Sequence, residues 1–274
     1  MINELKTREL PVKIGDECYN MVSDDDYLGY VSNGFEPEMV NLFKVLATDS
    51  KTILDIGANI GCTALLFSKL ADTVWAFEPS PSTFSLLEKN ISNSGLSNIH
   101  AQNIGIGDLQ CKSEITFAPS NRSGGFVSNQ TQASKGHVTE TIVIRTLDEF
   151  VRSQGVKDID FIKIDVEGFE GKVIQGGGAT LLENKPLVVL ELNHWCLNAF
   201  QRTSIPDFFD HLRSVFPILF AVDGMSYLDV HDENDNYIIM YHHILHMRFP
   251  NIVAAFNEEQ LSEFKTKYNH GFDK

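Results

Sequence analysis

Residues Lys51 to Thr63 read KTILDIGANIGCT and carry the clearest pattern in the chain. The first half of this stretch is a short apolar run, which is typical of a buried parallel strand. Gly57-Ala58-Asn59-Ile60-Gly61 breaks the run, and the apolar stretch Ala64 to Leu70 then predicts a helix. Glycine lets the backbone turn sharply and approach a ligand closely, while free N–H groups opening the helix suit an anionic or hydrogen-bonding group. We therefore expect a strand, a glycine turn that holds a ligand, and a helix.

The same alternation of strand and helix continues after the glycine turn. Pro81 starts a helix that Gly95 ends, and short apolar runs on either side of it predict further strands. The predicted strands are 72–78, 98–103, 159–165 and 186–193. A chain with this order forms a doubly wound sheet, and ligands bind at the carboxyl ends of its strands. We therefore predict an α/β fold with a doubly wound, mostly parallel sheet and helices on both faces.

We predict a single domain over residues 1–274, because the sequence shows no internal repeat and no linker. Its parts are an N-terminal addition (1–48), a core (49–242) with an inserted loop (118–138), and a C-terminal tail (243–274). Residues 1–35 have a loop-like composition, and a helix is predicted at 36–48. The inserted loop is polar, has no periodicity and is too long for a simple connection, so we expect a mobile lid or a disordered insertion.

The C-terminal half is predicted to close the sheet. Strands are predicted at 218–222, 227–230 and 237–241. Val166 to Leu182 predicts one helix that runs through three consecutive glycines, and the tail ends in a helix that carries Leu261 and Phe264.

Composition limits the class of protein. The formal net charge of -15 and the pI of about 4.9 argue against a surface that follows nucleic-acid phosphates. Four scattered cysteines show neither a disulfide framework nor a zinc pattern. No signal peptide and no apolar run of membrane-spanning length is evident, so we expect a cytoplasmic protein. A homo-oligomer is compatible with these features.

Three features that fall at strand ends carry the chemistry. The first is the glycine turn, whose GxxxG spacing differs from the GxGxxG of dinucleotide binders. The second is Glu78, which closes a predicted strand and stands where an acid accepts hydrogen bonds from both hydroxyls of a ribose. The third is an acidic strand end with Asp165, Glu167 and Glu170. Together these features imply a nucleoside cofactor.

The turn indicates which nucleoside is bound. Asp55 and Asn59 place a carboxylate and an amide there, and these groups suit the ammonium and carboxylate of an amino acid better than a pyrophosphate. S-adenosylmethionine carries both of those groups. We therefore expect S-adenosyl-L-methionine as the cofactor.

The motifs also resemble those of a known family. DIGANIGCT, FEPSP, an asparagine followed by IGIGD, and FIKIDVEGFE followed by a VVLEL strand are similar to the FkbM family of S-adenosylmethionine-dependent methyltransferases, in the class I Rossmann-like group. The match covers about residues 33 to 195 in order and in spacing. The resemblance implies a methyltransferase, and several members of this family are associated with O-methylation of sugars or polyketide hydroxyls.

The resemblance also implies roles for single residues. The methionine-binding loop would include Asp55, Gly57, Asn59 and Gly61, and Glu78 would bind the ribose. In the same way, Asn103 and Ile104 would line the adenine, and Glu36 would lie over the cofactor. The implied function is transfer of a methyl group to a hydroxyl of a sugar, a polysaccharide or glycolipid, or a glycosylated natural product.

Methylation of a neutral hydroxyl requires a base near it, because alkoxide formation in water is very unfavourable. The candidates at the acidic strand end are Asp165, Glu167, Glu191 and His194. Asp165 alternatively fixes the amino group of the methionine moiety, which leaves His194 or Glu167 as the base. The sequence leaves this choice open.

Three other functions remain open at this point. They are N-methylation of a peptide or amine, an NAD-dependent oxidoreductase, and a non-catalytic cofactor-binding protein. The stretch HDENDNYIIMYHHILHM is rich in histidine and acid, but adjacent histidines on a strand point to opposite faces and the acidic turn lacks the glycine of an EF-hand loop. We therefore predict no metal site.

Overall fold

The strands form one large sheet, one small sheet and a hairpin in the residues that the computed structural model describes, which are 7–128, 130–131 and 135–272. The strands are β1 (Arg8–Ile14), β2 (Glu17–Ser23), β3 (Ser50–Ile56), β4 (Ala71–Phe77), β5 (Ile99–Gln102), β6 (Gly105–Ile106), β7 (Cys111–Ala118), β8 (Asn121–Val127), β9 (Val138–Arg145), β10 (Ile159–Ile164), β11 (Leu187–Glu191), β12 (Ile218–Asp223), β13 (Ser226–Asp229), β14 (Asn251–Ala255) and β15 (Asn269–His270).

The helices surround these sheets. They are α1 (Tyr27–Tyr30), α2 (Pro37–Ala47), α3 (Cys62–Phe67), α4 (Pro81–Ser94), α5 (Leu147–Gln154), α6 (Glu170–Gly176), α7 (Gly178–Asn184), α8 (His194–Gln201), α9 (Ile205–Arg213), α10 (Glu233–His246) and α11 (Ser262–Lys267), with a 3₁₀ turn at Glu259–Leu261.

The large sheet has the strand order β15-β13-β12-β14-β11-β10-β3-β4-β5. From β11 to β5 every neighbouring pair is parallel, whereas β14 runs antiparallel to both β11 and β12. The strand order reverses between β3 and β10, which is the point at which doubly wound folds bind their ligands. The predicted α/β fold with a mostly parallel sheet is therefore confirmed.

Two apolar layers hold the helices on opposite faces of this sheet. Successive residues of a strand point to opposite faces, so Ile53 packs into one layer and Leu54 into the other. The first layer contains α2, α3 and the hairpin of β1 and β2, and the second contains helices α5 to α9. Both layers consist of fully buried aliphatic and aromatic side chains, which explains the continuous apolar runs of the central strands.

The ends of α4 form as the sequence predicts. The Ser80 side chain accepts a hydrogen bond from the backbone N–H of Thr83, and Pro81 occupies the first turn. Gly95 ends the helix in the left-handed conformation, with a φ of 71°. These residues predict the helix ends correctly because each satisfies backbone groups or a backbone conformation at the helix end itself.

Two predicted loops are strands instead. Residues 8–23 form a hairpin with a two-residue turn at Gly15-Asp16, and Val12, Ile14 and Met21 fill the core beneath it. Within the inserted segment 118–138, Asn121–Val127 is strand β8, which pairs with β7. The sequence NRSGGFV has little strand propensity, so pairing with β7 decides its conformation. Residues 129 and 132–134 of that segment lie outside the described residues.

The predicted strand at 237–241 is wrong, because this segment belongs to helix α10. The Asp232 side chain caps the helix by accepting from the N–H groups of Asn234 and Asp235. Ile239 and His243 are buried and four residues apart, which is the spacing of one helix face. The third closing strand is β14 in the C-terminal tail, and it lies inside the sheet between β11 and β12.

The predicted helix over 166–182 is two helices. Gly176 lies so close to the Gly107 carbonyl that an added Cβ would be 1.9 Å from that oxygen. The glycines therefore permit close packing of α6 against the β6 region, and the axis breaks between α6 and α7. None of the helices formed by the described residues has the length and apolar character needed to cross a membrane.

Candidate active site

The glycine turn lies at the carboxyl end of β3 and contacts its two neighbouring strands. The N–H groups of Gly57 and Ala58 donate to the Phe77 carbonyl at the end of β4, at 3.0 and 2.9 Å. Gly57 has a φ of 85°, and an added Cβ would be 1.9 Å from the carbonyl oxygen of Asp165, after β10. Only glycine allows this approach, so the turn joins the ends of β4 and β10.

Glu78 follows β4 and faces the same space. Its carboxylate accepts hydrogen bonds from the N–H of Ser80 at 2.9 Å and the N–H of Asn59 at 3.1 Å. Burial raises the pKa of Glu78 to about 7, although these two N–H groups oppose the shift. The Asn59 Oδ1 atom is buried and has no hydrogen-bond partner among the described residues. This end of the space therefore presents polar atoms with capacity for further hydrogen bonds.

Asn103 does not line the cavity; its Nδ2 group donates to the carbonyls of Glu78 and Pro79, at 2.9 and 3.0 Å. Gly61 also lies outside the lining, and an added Cβ there would be 2.8 Å from the Leu87 side chain. The expected contacts of both residues with a cofactor stay predictions. Asn103 orients the Glu78 turn, and Gly61 allows α4 to pack closely. Ile104 does line the cavity.

Asp55 lies below the glycine turn and not on the cavity surface. It is fully buried, accepts a hydrogen bond from the Thr63 hydroxyl at 2.6 Å, and has Oδ1 3.4 Å from Lys163 Nζ. The expectation that this carboxylate faces an amino acid is therefore corrected. Lys163 stands opposite Asp55 in the register of β10 and β3, so the two side chains share one face of the sheet.

Lys163 is the main residue that we did not identify from the sequence. It is almost fully buried, donates to the Gly57 carbonyl at 2.8 Å, and lies 3.4 Å from Asp165 Oδ2. This single cation links the glycine turn to the acidic end of β10. A lysine within the otherwise apolar strand FIKI was the available signal, because a buried lysine requires acidic partners.

Glu167 lies on the cavity surface beside Asp165. Its Oε2 atom accepts a hydrogen bond from the Cys196 thiol at 2.9 Å. Burial, followed by the charge of Asp165, raises the pKa of Glu167 to about 7. Its backbone is left-handed, with a φ of 53°, which turns the chain sharply after β10. A carboxyl group with a pKa raised in this way is suited to proton transfer near neutral pH.

His194 is not part of this lining. Its ring packs edge-on against the His243 ring at 5.1 Å, and its backbone N–H donates to His243 Nε2 at 3.3 Å. The structure thus places His194 beside His243 and outside the cavity lining, and its role as a base stays a prediction. Glu36, at the start of α2, and Glu191, at the end of β11, both line the cavity.

Arg122 of β8 covers one side of the cavity, and we did not identify it from the sequence. Its Nε and Nη2 atoms donate to the two carboxylate oxygens of Asp24, at 2.5 and 2.7 Å. Its backbone N–H donates to Asp25 at 2.8 Å, and its Nη1 group donates to Ser82. The N-terminal segment is therefore attached to β8 at the edge of the cavity that Arg122 lines.

The cavity collects groups from the ends of five strands, which are β3, β4, β5, β10 and β11. Its empty volume, which includes the open space at its mouth, is about 1290 Å³. No group of His, Cys, Asp and Glu in the described residues has the arrangement of a metal site.

A family model described as the methyltransferase FkbM domain matches residues 55–222, which is more than half of the chain. The chain belongs to this FkbM domain family. The matched region contains the glycine turn, Glu78, Lys163 and the acidic end of β10, whereas Glu36 lies outside it. Membership of the FkbM domain family disfavours the oxidoreductase that the sequence left open.

Curated relatives of this FkbM domain include two proteins named as methyltransferases. The chain is 30% identical over 158 residues to the hexuronic acid methyltransferase AglP of Haloferax volcanii, covering 58% of this chain and 62% of that protein. It is 29% identical over 160 residues to the 2-O-methyltransferase NoeI of Sinorhizobium fredii, covering 53% of this chain and 64% of that protein. The match spans about three fifths of the length of these relatives.

A solved structure of a methyltransferase FkbM from Methylobacillus flagellatus also resembles this FkbM domain. It has a TM-score of 0.44 and 18% sequence identity, and the match covers 62% of this chain and 38% of that one.

Proposed function

We propose that this protein is an S-adenosylmethionine-dependent O-methyltransferase that acts on a hydroxyl of a sugar or of a glycosylated molecule. The observation that carries the proposal is the meeting of the glycine turn, Glu78 and the acidic end of β10 around one cavity. Membership of the FkbM domain family supports methyl transfer. The name of AglP supports a sugar-related acceptor, and the name of NoeI supports methylation of an oxygen atom.

The residues present fit the cofactor on chemical grounds. Glu78 offers a carboxylate for two ribose hydroxyls, and Ile104 offers an apolar surface for the adenine ring. The buried Asn59 Oδ1 atom accepts no hydrogen bond from the described residues. At the other end, Asp165 and Glu36 offer carboxylates for an ammonium group. When bound, S-adenosylmethionine supplies an electrophilic methyl group on a sulfonium.

Glu167 is proposed as the general base. It lines the cavity, its pKa is raised to about 7, and a base is most effective when its pKa lies near the working pH. Its carboxylate takes the proton that the acceptor hydroxyl must lose. The Cys196 thiol holds Oε2, which leaves Oε1 for the acceptor. Asp165 is held by Lys163 and is assigned to binding instead.

Isothermal titration with S-adenosylhomocysteine tests the cofactor part of the proposal without a known acceptor. We expect saturable binding by the wild type and about tenfold weaker binding by Glu78→Gln, because one charge-assisted hydrogen-bond acceptor is lost. The matched control is Glu88→Gln, an exposed glutamate on α4, which should bind as the wild type does. Absence of binding by the wild type, or equal binding by Glu78→Gln, would contradict the proposal.

Incubation with S-adenosylmethionine and a panel of methyl glycosides tests the acceptor part. Release of S-adenosylhomocysteine together with an O-methylated glycoside supports it, and Glu167→Gln should lower the rate by about 100-fold. Methylation of amines alone would contradict the acceptor class. An unchanged rate in Glu167→Gln would contradict the assignment of the base.

A further inference from the structure

The small sheet turns one apolar face toward the main cavity. In the register of β7 and β9, Ile115 and Phe117 share a face with Ile142 and Ile144, and Val127 of β8 pairs with Ile115. All five of these side chains line the cavity. Together they form what we call the apolar wall, which belongs to a different sheet from the strand ends that carry the acids.

The acids on the opposite side of the cavity belong to the large sheet. Glu78, Asp165, Glu167 and Glu191 lie at the ends of its strands and line the cavity. The groups assigned above to the cofactor come from these strand ends, the glycine turn and the start of α2. The cavity therefore has one side rich in carboxylates, and an apolar wall to which no part of the cofactor has been assigned.

Helix α8 holds the apolar wall near the proposed base. The Cys196 thiol donates to Glu167 at 2.9 Å, and Gln201 Nε2 donates to the Val127 carbonyl at 2.7 Å. Cys196 and Gln201 are five residues apart on this helix, which corresponds to about 7.5 Å along its axis. A molecule whose hydroxyl reaches Glu167 therefore extends toward the Val127 end of the apolar wall.

The other end of the apolar wall adjoins the expected adenine site. A Cβ added to Gly105, which follows Ile104, would be 3.4 Å from the Ile144 side chain. Ile144 stands opposite Cys111 in β7, four residues or about 13 Å along the strand from Ile115. The pair of Ile115 and Val127 is thus the part of the wall farthest from the adenine and closest to the base.

The chemistry of this pair selects the group that binds there. Neither side chain has a hydrogen-bonding atom, so a sugar hydroxyl buried against them would lose its bonds to water without replacement. An aryl or alkyl group gains instead, because it and the wall are both removed from water. We propose that the Ile115 and Val127 end of the apolar wall binds an aryl or alkyl group that the acceptor carries beside its methylated hydroxyl, an inference that rests on the proposed function.

Paired methyl and phenyl glycosides of the same sugars test this proposal. Release of S-adenosylhomocysteine from S-adenosylmethionine gives kcat/KM for each member of a pair. For the sugar that is methylated, we expect the phenyl glycoside to exceed the methyl glycoside about tenfold or more, because the phenyl ring buries more apolar surface. Equal kcat/KM values within the pair would overturn the proposal.

Val127→Thr tests whether the apolar wall causes this preference. Threonine has nearly the shape of valine but places a hydroxyl on the wall, so the ratio of phenyl to methyl should fall about fivefold or more. Val143→Thr is the matched control, because Val143 lies on the other face of β9 and is 41% exposed. It should retain the wild-type ratio. An unchanged ratio in Val127→Thr would overturn the proposal.

A second variant and a binding measurement keep the test decisive. Ile115→Thr should lower the same ratio, because Ile115 is the cross-strand partner of Val127. Isothermal titration should give an affinity of Val127→Thr for S-adenosylhomocysteine within about twofold of the wild type, which also shows that the variant is folded. A tenfold loss of that affinity would assign this end of the wall to the adenine and overturn the proposal.

Failure of the proposed function gives a different result from failure of this inference. If neither member of any glycoside pair is methylated, the proposed function is contradicted, and this inference with it. If methyl glycosides are methylated without a preference for their phenyl counterparts, the proposed function stands and the assignment of the apolar wall is wrong.

Discussion

At the scale of single residues, Glu78 makes cofactor binding depend on pH. Burial raises its pKa to about 7 from 4.5, so the empty site holds a proton below neutrality. Ribose hydroxyls donate to the charged form and favour it, which means that binding must release that proton at low pH. We therefore expect the affinity for S-adenosylhomocysteine to rise about tenfold from pH 6 to pH 8.

Titrations at pH 6, 7 and 8 measure this dependence. Glu78→Gln should bind more weakly and show a flatter profile, since its side chain does not titrate. Glu170→Gln removes another acid with a raised pKa and should retain the wild-type slope. An affinity that falls as the pH rises would contradict the assigned sign.

Gly57 is the second residue for which we predict a large effect, in this case on the free energy of unfolding. In Gly57→Ala the new Cβ would overlap the Asp165 carbonyl, in addition to the strain of a positive φ. We expect a loss of about 3 kcal/mol or more in the free energy of unfolding, measured with urea. Gly95→Ala also has a positive φ but meets no atom within 4 Å, so it should lose only about 1 kcal/mol. Equal losses would show that the contact between the turn and β10 is unimportant.

At the scale of elements, strand β8 is held over the cavity by Arg122. The two-pronged pair with Asp24 is largely buried, so it should stabilise the strand more than an exposed ion pair does. In Asp24→Asn we expect amide hydrogen exchange of residues 121–127 to accelerate at least about fivefold, which corresponds to about 1 kcal/mol.

The exposed pair of Asp16 with Lys44 provides the control for β8. Asp16 is 86% exposed, so Asp16→Asn should leave exchange in β8 unchanged. Unchanged exchange in Asp24→Asn would show that pairing with β7 alone holds the strand.

At the scale of the whole molecule, the C-terminal strand β14 is part of the central sheet. Ile252 is fully buried between β11 and β12, and Ile252→Ala should lower the free energy of unfolding by about 2 to 5 kcal/mol. Ile244→Ala, on the exposed face of α10, is the matched control and should change it by less than about 0.5 kcal/mol. Equal effects in urea unfolding would contradict the central position of β14.

Local sequence patterns were sufficient to predict the parallel half of the large sheet and one side of the candidate site. The strand runs, the Ser80 cap and the glycine turn depend on neighbouring residues, so the sequence specifies them directly. Because parallel strands end at one edge, Glu78, Asp165 and Glu167 were expected to meet there, and all three line one cavity.

Tertiary structure decided where the remaining side chains point. The sequence placed Asp55 at the turn, but its alternation within β3 directs it to Lys163 beneath the cavity. The sequence pattern predicted a strand at 237–241 and a loop at 121–127, but the structure has a helix and a strand there. Both predictions were wrong because local propensity is weak compared with packing and with pairing to distant segments. Glu36, Asp165 and Glu191 likewise line one cavity only because the fold brings together residues that lie far apart in the chain. No local spacing in the sequence encodes that arrangement.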